Sequence, residues 1–199
     1  MRYYVVKYTG PFGFIKPWTA VRDSETYSQQ FLTPSIVGGI ERKLFPELLK
    51  HRFHLYRIQA HRLSYDQVSL QQERIQTRGW NTSQQKSTKQ ILFTRPTSIL
   101  DRGVLVNPIL YLVFTSENHA KIASAQHICL CRNEDILYPD QKIIETTRKN
   151  FDTNEEHFSG FELVFEKNAQ SFLVGYNRLD NNKPMYGWLK IIGTPVKEF

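Results

Sequence analysis

Residues Tyr27–Phe45 read YSQQFLTPSIVGGIERKLF and carry the clearest helix signal in the chain. The Thr33 hydroxyl can accept a hydrogen bond from a first-turn amide, and Pro34 suits the next position because its missing N–H costs nothing there. Apolar residues then recur at helical spacing and predict one buried face, made of Ile36, Val37, Ile40 and Leu44. Pro46 ends the run, and we expect the charged side chains before it to point mostly away from that face: Glu41, Arg42 and Lys43.

A glycine pair, Gly38 and Gly39, lies inside this predicted helix. Each glycine in a helix costs about 1 kcal/mol relative to alanine, so a compensating reason is expected. Either a neighbouring strand packs very closely against the helix, or the backbone of a ligand approaches it. The sequence leaves both explanations open.

The composition is that of a folded chain. Of its 199 residues, 40% are hydrophobic and 13% aromatic, so the chain can bury a core and is not disordered. The longest apolar run, Ile109–Phe114, is far too short to cross a membrane, and the amino-terminal MRYYVVKY lacks the apolar centre of a signal peptide. We therefore expect one domain over residues 1–199 that is soluble and cytoplasmic, with no membrane partner.

The two cysteines, Cys129 and Cys131, lie two residues apart on a predicted strand. Both side chains would face the same way, so a disulfide between them would be strained, which fits a reducing compartment. Two thiols do not complete a tetrahedral metal shell, and the chain has no second cysteine pair. We expect no metal site and no cofactor.

Positive charge is concentrated in the first half of the chain. The net charge is +7, but residues 1–100 hold 15 Lys and Arg against 6 Asp and Glu, whereas residues 101–199 hold 11 against 13. Two of the three tryptophans, Trp18 and Trp80, lie in the basic half. Cations that meet phosphates and rings that stack on bases together suit single-stranded nucleic acid, although an ordinary basic surface has the same composition.

A strand over Arg2–Tyr8 is followed by a long polar connection over residues 12–30. Ordered loops of this length are often functional, and this one ends at a helix amino terminus, where free amides and the helix dipole favour an anion such as phosphate. The polar and aromatic side chains it carries toward the helix include Trp18, Arg22, Gln29 and Gln30.

Residues 51–62 are read as a second strand with a bulge, and the segment after it is the most polar of the chain. Over residues 64–90 it has seven glutamines and few aliphatic residues, so it cannot form much core. A Gly-Trp-Asn turn at residues 79–81 predicts two arms folded back as a projecting hairpin, with Trp80 at the tip. Cations would line its arms: Arg74, Arg78, Lys86 and Lys89. The alternative is an insertion that is disordered without a partner.

The rest of the chain completes a recognisable order. Two strands over residues 91–100 and 103–115, separated by a turn at 101–103, precede a short helix over 117–125 that Ser116 can cap, and His127–Leu130 gives a further strand. A three-stranded β meander is predicted over residues 158–193. The fold class is therefore α+β: a ferredoxin-like (RRM-like) β-α-β-β-α-β domain, as in RNA-recognition modules, with an inserted β-hairpin thumb and a carboxy-terminal β meander.

Several stretches resemble the Cas five family, RAMP-type proteins that cap the 5′ handle of the guide RNA in class 1, type I CRISPR Cascade complexes. Gly10-Pro11-Phe12 ends the first strand, and a polar loop runs into Thr33-Pro34-Ser35 with Gly39 downstream. CRNEDIL, Cys131–Leu137, is similar to a Gly-Arg-Ser-Glu-Asp segment of one branch, with Cys131 in place of the glycine and Asn133 in place of the serine. The resemblance covers residues 1 to about 140.

The resemblance implies a non-catalytic antiviral-defence subunit that binds the crRNA 5′ handle and anchors the Cascade backbone subunit and the large subunit. Target DNA would be reached indirectly through the ribonucleoprotein complex. By position, the implied RNA-binding residues are Trp18, Arg22, Gln29, Gln30, Thr33, Ser35, Arg74, Arg78, Trp80, Lys86 and Lys89.

One branch of the family cleaves repeat RNA without metal, with a Lys-His pair and a tyrosine. Here His119 and Lys121 lie in the corresponding region, but Ala120 separates them, and Pro34 and Ser35 stand where the tyrosine would be. The chain has no Walker, HExxH or GxSxG motif either. We expect no catalytic residues, and keep two alternatives: a metal-independent endoribonuclease that processes CRISPR repeat RNA, and a free-standing single-stranded RNA-binding protein.

Overall fold

The computed structural model describes residues 1–17, 24–50, 57–76, 78–84, 90–177 and 181–197, which form a mixed α+β protein. Three α-helices and a short 3-10 helix (Pro46–Lys50) occur in this part of the chain: α1 (Pro34–Leu44), α2 (Glu117–Ser124) and α3 (Arg148–Thr153). The strands are β1 (Arg2–Thr9), β2 (Phe12–Gly13), β3 (Glu25–Tyr27), β4 (Ile58–Ser64), β5 (Val68–Gln76), β6 (Asn81–Gln84), β7 (Ile91–Thr94), β8 (Thr97–Val106), β9 (Ile109–Phe114), β10 (Ile128–Cys129), β11 (Ile136–Pro139), β12 (Ile144–Thr147), β13 (Gly160–Val164), β14 (Phe172–Asn177) and β15 (Lys183–Ile192). None of the helices in the described ranges is long and apolar enough to span a membrane.

The largest sheet contains nine strands of the described chain. Its order is β10-β11-β1-β9-β4-β13-β15-β14, with β12 paired to the amino-terminal half of β1, and all its pairings are antiparallel. The register of β4 against β9 shifts between Ile58 and Ala60, whereas the sequence predicts the bulge of the second strand earlier, at residues 55–56. The predicted residues 51–56 of that strand lie outside the described residues.

Neighbouring strand residues point to opposite faces of the sheet, so both faces carry apolar side chains. Helices cover both faces. On one face, α1 and α2 pack over a core that includes Val6, Tyr8, Leu112 and Phe114. The Tyr8 hydroxyl donates to the Ala123 carbonyl oxygen of α2 at 2.7 Å and fixes that helix to the sheet. On the other face, α3 covers a smaller core of Tyr3, Val5, Tyr111, Val113, Phe151 and Phe158.

Helix α1 begins after Thr33 with Pro34 at its first position, as the sequence predicts, and it buries Val37, Ile40 and Leu44. The expected orientation of Glu41 is wrong. This residue is fully buried, and its Oε1 accepts hydrogen bonds from the backbone amides of Arg57 (2.6 Å) and Ile58 (2.9 Å) at the start of β4. A buried amide needs an acceptor, and Glu41 supplies one where β4 begins.

The predicted hairpin exists, but it is longer than expected and turns elsewhere. β5 and β8 pair antiparallel over nine residue pairs, from Val68–Leu105 to Gln76–Thr97, and β6 pairs with β7 beyond them. Gly79 and Trp80 therefore lie between β5 and β6, not at the tip, and Asn81 begins β6. Residues 101–103 continue β8 instead of forming a turn. We call Val68–Val106 the thumb. Its base is joined to the body by β2 and β3, which both pair with β8 along the edge opposite β5.

The meander prediction is also wrong in its order. Three strands do form in the predicted region, but β15 lies between β13 and β14, whereas a meander would place β14 in the middle. The last strand is longer than its partners and pairs with β14 over residues 183–187 and with β13 over residues 188–192. Because β13 also pairs with β4, these strands extend the main sheet and do not form a separate layer.

Candidate nucleic-acid interface

The thumb presents exposed cations and rings on a frame with little core. Arg74, Arg78 and Trp80 are all exposed, as are all residues of β6 and β7. In the described chain, β6 and β7 make their main contacts with each other. A hairpin built in this way presents its side chains to solvent or to a partner.

Arg95, which the sequence reading did not select, completes this group. Its guanidinium lies 4.8 Å from the centroid of the Trp80 ring, and its Nη1 is 3.5 Å from the Gln76 Oε1. Trp80 is 57% exposed, so a base could stack on the ring beside a fixed positive charge. The local sequence Thr94-Arg95-Pro96 does not indicate this pairing, because the contact between Arg95 and Trp80 depends on β7 pairing with β6.

Two glutamines before α1 are held by the rest of the protein. Gln29 is buried: its amide donates to the Ile15 carbonyl oxygen at 2.8 Å and its Nε2 to the Phe31 carbonyl oxygen at 2.8 Å. Gln30 is exposed, and its Oε1 accepts from the Tyr65 hydroxyl at 2.7 Å. Burial raises the pKa of Tyr65 to about 12, so the hydroxyl stays protonated and remains a donor. The structure thus brings Gln30 to the root of the thumb.

The start of α1 differs from the expected anion site. Thr33 is buried, and its hydroxyl bonds the Ser35 hydroxyl at 2.8 Å instead of a first-turn amide. The amides of Ile36 and Val37 both donate to the Thr33 carbonyl oxygen, at 3.0 Å each. Since Pro34 has no N–H, Ser35 supplies the remaining amide of this turn, which makes the helix start a weaker phosphate site than expected.

The two glycines of α1 have different surroundings. Gly38 is buried, whereas Gly39 is exposed, and a Cβ added to Gly39 would have no atom within 4 Å. Packing therefore does not require glycine at position 39. Ser35, Gly39 and Lys43 are all exposed at four-residue spacing, so they share one face of the helix. Because Gly39 has no side chain, another backbone can approach this face closely.

Two of the three sequence stretches that carry the family resemblance, those around Gly10 and Cys131–Leu137, meet in space. A Cβ on Gly10 would lie 2.5 Å from the Ile136 carbonyl oxygen, so β1 and β11 can come this close only with glycine here. Asp135, fully buried, binds Arg132 with two side-chain contacts of 2.7 and 2.9 Å. The Arg132 guanidinium lies 5.2 Å from the centroid of the Phe14 ring. The acid therefore positions an arginine beside β2.

Glu73 of β5 links this arrangement to the thumb. Its Oε2 lies 3.3 Å from Arg102 Nε of β8 and 3.8 Å from Arg132 Nη1. Both arginines are thus neutralised by carboxylates, and their role in the structure is to fix the thumb root. Glu134 and Asp135 lie in the turn before β11.

His119 and Lys121 do not converge on one point. The His119 ring packs edge-on against Phe45, with centroids 5.5 Å apart, and burial together with nearby Arg57 lowers its pKa. Lys121 Nζ is 2.6 Å from Glu117 Oε1, and this hydrogen bond raises the pKa of Lys121. The two side chains, both on α2, thus have separate partners: Phe45 after α1 for His119 and Glu117 for Lys121.

The expected contact residues Trp18, Arg22, Lys86 and Lys89 lie outside the described residues. The other seven fall into two groups: Gln29, Gln30, Thr33 and Ser35 before and at the start of α1, and Arg74, Arg78 and Trp80 on the thumb. Tyr65 connects the groups, because it follows β4, precedes β5 and binds Gln30. No protein-family model matches the chain, and no curated protein matches it either.

Proposed function

We propose that this protein is a non-catalytic RNA-binding subunit of a CRISPR Cascade complex, which binds and caps the 5′ handle of the guide RNA. The observation that carries the proposal is the thumb, a long hairpin with exposed Arg74, Arg78, Arg95 and Trp80 and almost no core of its own. Cations paired with an accessible ring suit single-stranded RNA, since cations meet phosphates and rings meet bases.

The strand order supports an RNA-recognition core. We infer that β1, α1, β4, β9, α2 and β11 form a ferredoxin-like unit, because β4, β9, β1 and β11 are neighbours in that order and α1 and α2 cover one face. In this reading the thumb is an insertion between the second and third strands of the unit. The strands from β13 onward would be an extension that the family resemblance does not cover.

The exposed apolar side chains of the thumb support a place in a complex. Ile91, Leu92, Phe93 and Ile99 are 45–62% exposed. A concentration of apolar side chains on one projecting element is typical of a protein interface. In the proposed complex, the backbone and large subunits would cover them, and target DNA would be reached only through those neighbours. Co-expression with these subunits is therefore expected to increase the yield of folded protein.

The thumb assignment is tested by the double variant Arg78→Ala/Trp80→Ala. Loss of one stacking ring and one cation should weaken binding of single-stranded repeat RNA about ten-fold or more, since a stacked base contributes about 1–3 kcal/mol. The slope of log affinity against log salt should also become shallower by about 0.7 for the lost phosphate contact. The measurement is fluorescence anisotropy over a salt series.

Arg2→Ala is the matched control for the thumb variant. The Arg2 side chain is 70% exposed and pairs loosely with Glu145 at 3.8 Å, away from both groups of candidate residues. This control should bind repeat RNA like the wild type. Equal affinity of the thumb variant and the wild type would refute the thumb assignment.

The endoribonuclease alternative makes a different prediction. His119 and Lys121 would have to leave Phe45 and Glu117 to act together as base and charge stabiliser. A single specific cut in repeat RNA in the presence of EDTA, lost in His119→Ala, would establish this activity. A free-standing RNA binder would instead remain monodisperse without partner subunits.

A further inference from the structure

A cleft lies beside the candidate interface, between the root of the thumb and the carboxy-terminal strands. It has a volume of about 530 Å³ and is lined by Gln30, Tyr65, Val68, Phe161, Ile191 and the segment 193–196. A smaller hollow of about 320 Å³ adjoins it and shares Gln30 and Phe161. Volumes of about 300–1,000 Å³ are typical of sites for small organic ligands.

The cleft is built from groups that are already fixed. The Tyr65 amide donates to the Pro195 carbonyl oxygen at 3.0 Å, and Lys197 Nζ lies 2.7 Å from Asp66 Oδ1, so the carboxy-terminal segment is held as one wall. The Tyr65 and Phe161 rings lie 6.3 Å apart with 33° between their planes. A fixed lining reduces the entropy that a ligand must overcome on binding.

The chemistry of the lining selects a planar, uncharged group. None of the nine described lining residues carries a charge, so a phosphate would gain no ion pair inside the cleft. Phe161 offers an aromatic surface. Because Gln30 Oε1 accepts from Tyr65, the amide NH2 of Gln30 is turned away from Tyr65 and can donate to a ring nitrogen or carbonyl acceptor.

We propose that this cleft holds one unstacked nucleobase of the bound RNA strand, packed against Phe161 and hydrogen-bonded by Gln30. The inference rests on the proposed function, because it needs an RNA strand that passes the start of α1. That start, Pro34, is three residues beyond Phe31, which lines the adjoining hollow. It assigns a role to β13 and β15, which the family resemblance leaves without one. Bases read by proteins in single-stranded RNA are commonly splayed out in this way.

The test uses repeat RNA with a single abasic site that is moved one nucleotide at a time. At one position, loss of the base should weaken binding to the wild type about 5-fold to 100-fold, the range for one stacked base. In Phe161→Ala the same RNA should bind no more weakly than intact RNA. Ile191→Trp, at a site 57% exposed on the cleft, should fill the cleft and remove the sensitivity without cutting into the core.

Leu49→Trp is the matched control, because Leu49 is 66% exposed on the 3-10 helix and does not line the cleft. It should keep the abasic sensitivity of the wild type. If intact RNA binds but no abasic position matters, or the sensitivity survives in Ile191→Trp, the base site is refuted and the RNA-binding function stands. If the wild type does not bind repeat RNA, the proposed function fails, and the base site fails with it.

Discussion

At the scale of single residues, several buried polar groups decide where elements meet. Arg62 of β4 is fully buried, and its Nη1 donates to the Phe158 carbonyl oxygen at 2.8 Å and to the Phe151 carbonyl oxygen, while its Nη2 lies 3.1 Å from Asp152 Oδ1. The guanidinium also lies 4.0 Å from the centroid of the Phe151 ring. One arginine thus holds α3 and the turn after it against the sheet. Its role was not visible in the sequence, because these partners lie about 90 residues away.

Arg62→Met should lower the free energy of unfolding by about 3 kcal/mol or more, because it leaves buried carbonyl groups and Asp152 without their donor. Arg148→Met is the matched control, since Arg148 approaches the same Asp152 at 3.9 Å but its side chain is 71% exposed. The control should change stability by less than about 1 kcal/mol. Urea unfolding measures both, and equal effects of the two substitutions would contradict the account of α3.

His61 is expected to make the fold sensitive to acid. Its Nε2 is buried without a partner in the described structure, and burial lowers the pKa of His61 to about 4, compared with about 6.5 in an unfolded chain. Between these values the unfolded chain binds more protons, so the free energy of unfolding falls as the pH drops from about 6.5 to about 4, by about 3 kcal/mol in all. Burial raises the pKa of Glu162, so this residue has the opposite effect: its contribution to the free energy of unfolding falls as the pH rises.

His61→Leu isolates the histidine contribution, because Glu162 is unchanged in this variant. The pH dependence of urea unfolding between pH 4 and 6.5 should become flatter than in the wild type. His157→Leu, at an exposed position, should leave the dependence as it is. The account of His61 is wrong if its substitution changes the overall stability but not the slope with pH.

At the scale of elements, α1 could be predicted almost completely and the thumb only in part. The Thr33-Pro34 start and the apolar spacing of α1 are local signals, and its bounds and most of its buried face follow from them. The thumb depends on pairing between residues about 30 positions apart, which no local pattern contains. The polar composition of residues 64–90 indicated a hairpin but ended it too early, because the returning strands β7 and β8 contain aliphatic residues, as core strands do.

Gly39 provides the prediction at this scale. Gly39→Ala should raise the free energy of unfolding by about 1 kcal/mol, since the added methyl group meets no atom within 4 Å and alanine favours helix. If RNA lies against this face of α1, Gly39→Gln should retain the stability gain yet weaken RNA binding about 5-fold or more. Thermal unfolding and anisotropy on the same samples separate the two effects. Unchanged RNA affinity in Gly39→Gln would show that RNA does not contact this helix face.

At the scale of the whole molecule, the distribution of charge and the sheet order divide the chain in the same way. The basic half of the chain contributes α1 and the outgoing arm of the thumb, whereas the second half, with 11 Lys and Arg against 13 Asp and Glu, supplies the sheet extension. The α+β class could be predicted from the alternation of strand and helix signals. The position of β15 between β13 and β14 could not, because strand order depends on which edges are already paired.

The residues of the candidate site could also be predicted only in part from the sequence. Arg74, Arg78 and Trp80 could be chosen from composition, but Arg95, Tyr65 and Phe161 become candidates only through their partners in space. Structural contacts at the thumb root explain the resemblance motifs around Gly10 and Arg132. These motifs therefore do not require RNA to contact those residues. The contact prediction therefore depends most on the thumb and on the segment that leads into α1.

The central claim is that this protein binds guide RNA without cutting it. The most direct measurement is to mix the purified protein with end-labelled repeat RNA in EDTA and follow binding and RNA integrity over a salt series. We predict intact RNA and an affinity that falls with salt, with a slope near −2 if Arg74, Arg78 and Arg95 each meet one phosphate. Salt-independent or undetectable binding would contradict the claim, and a single specific cut would replace it with the endoribonuclease.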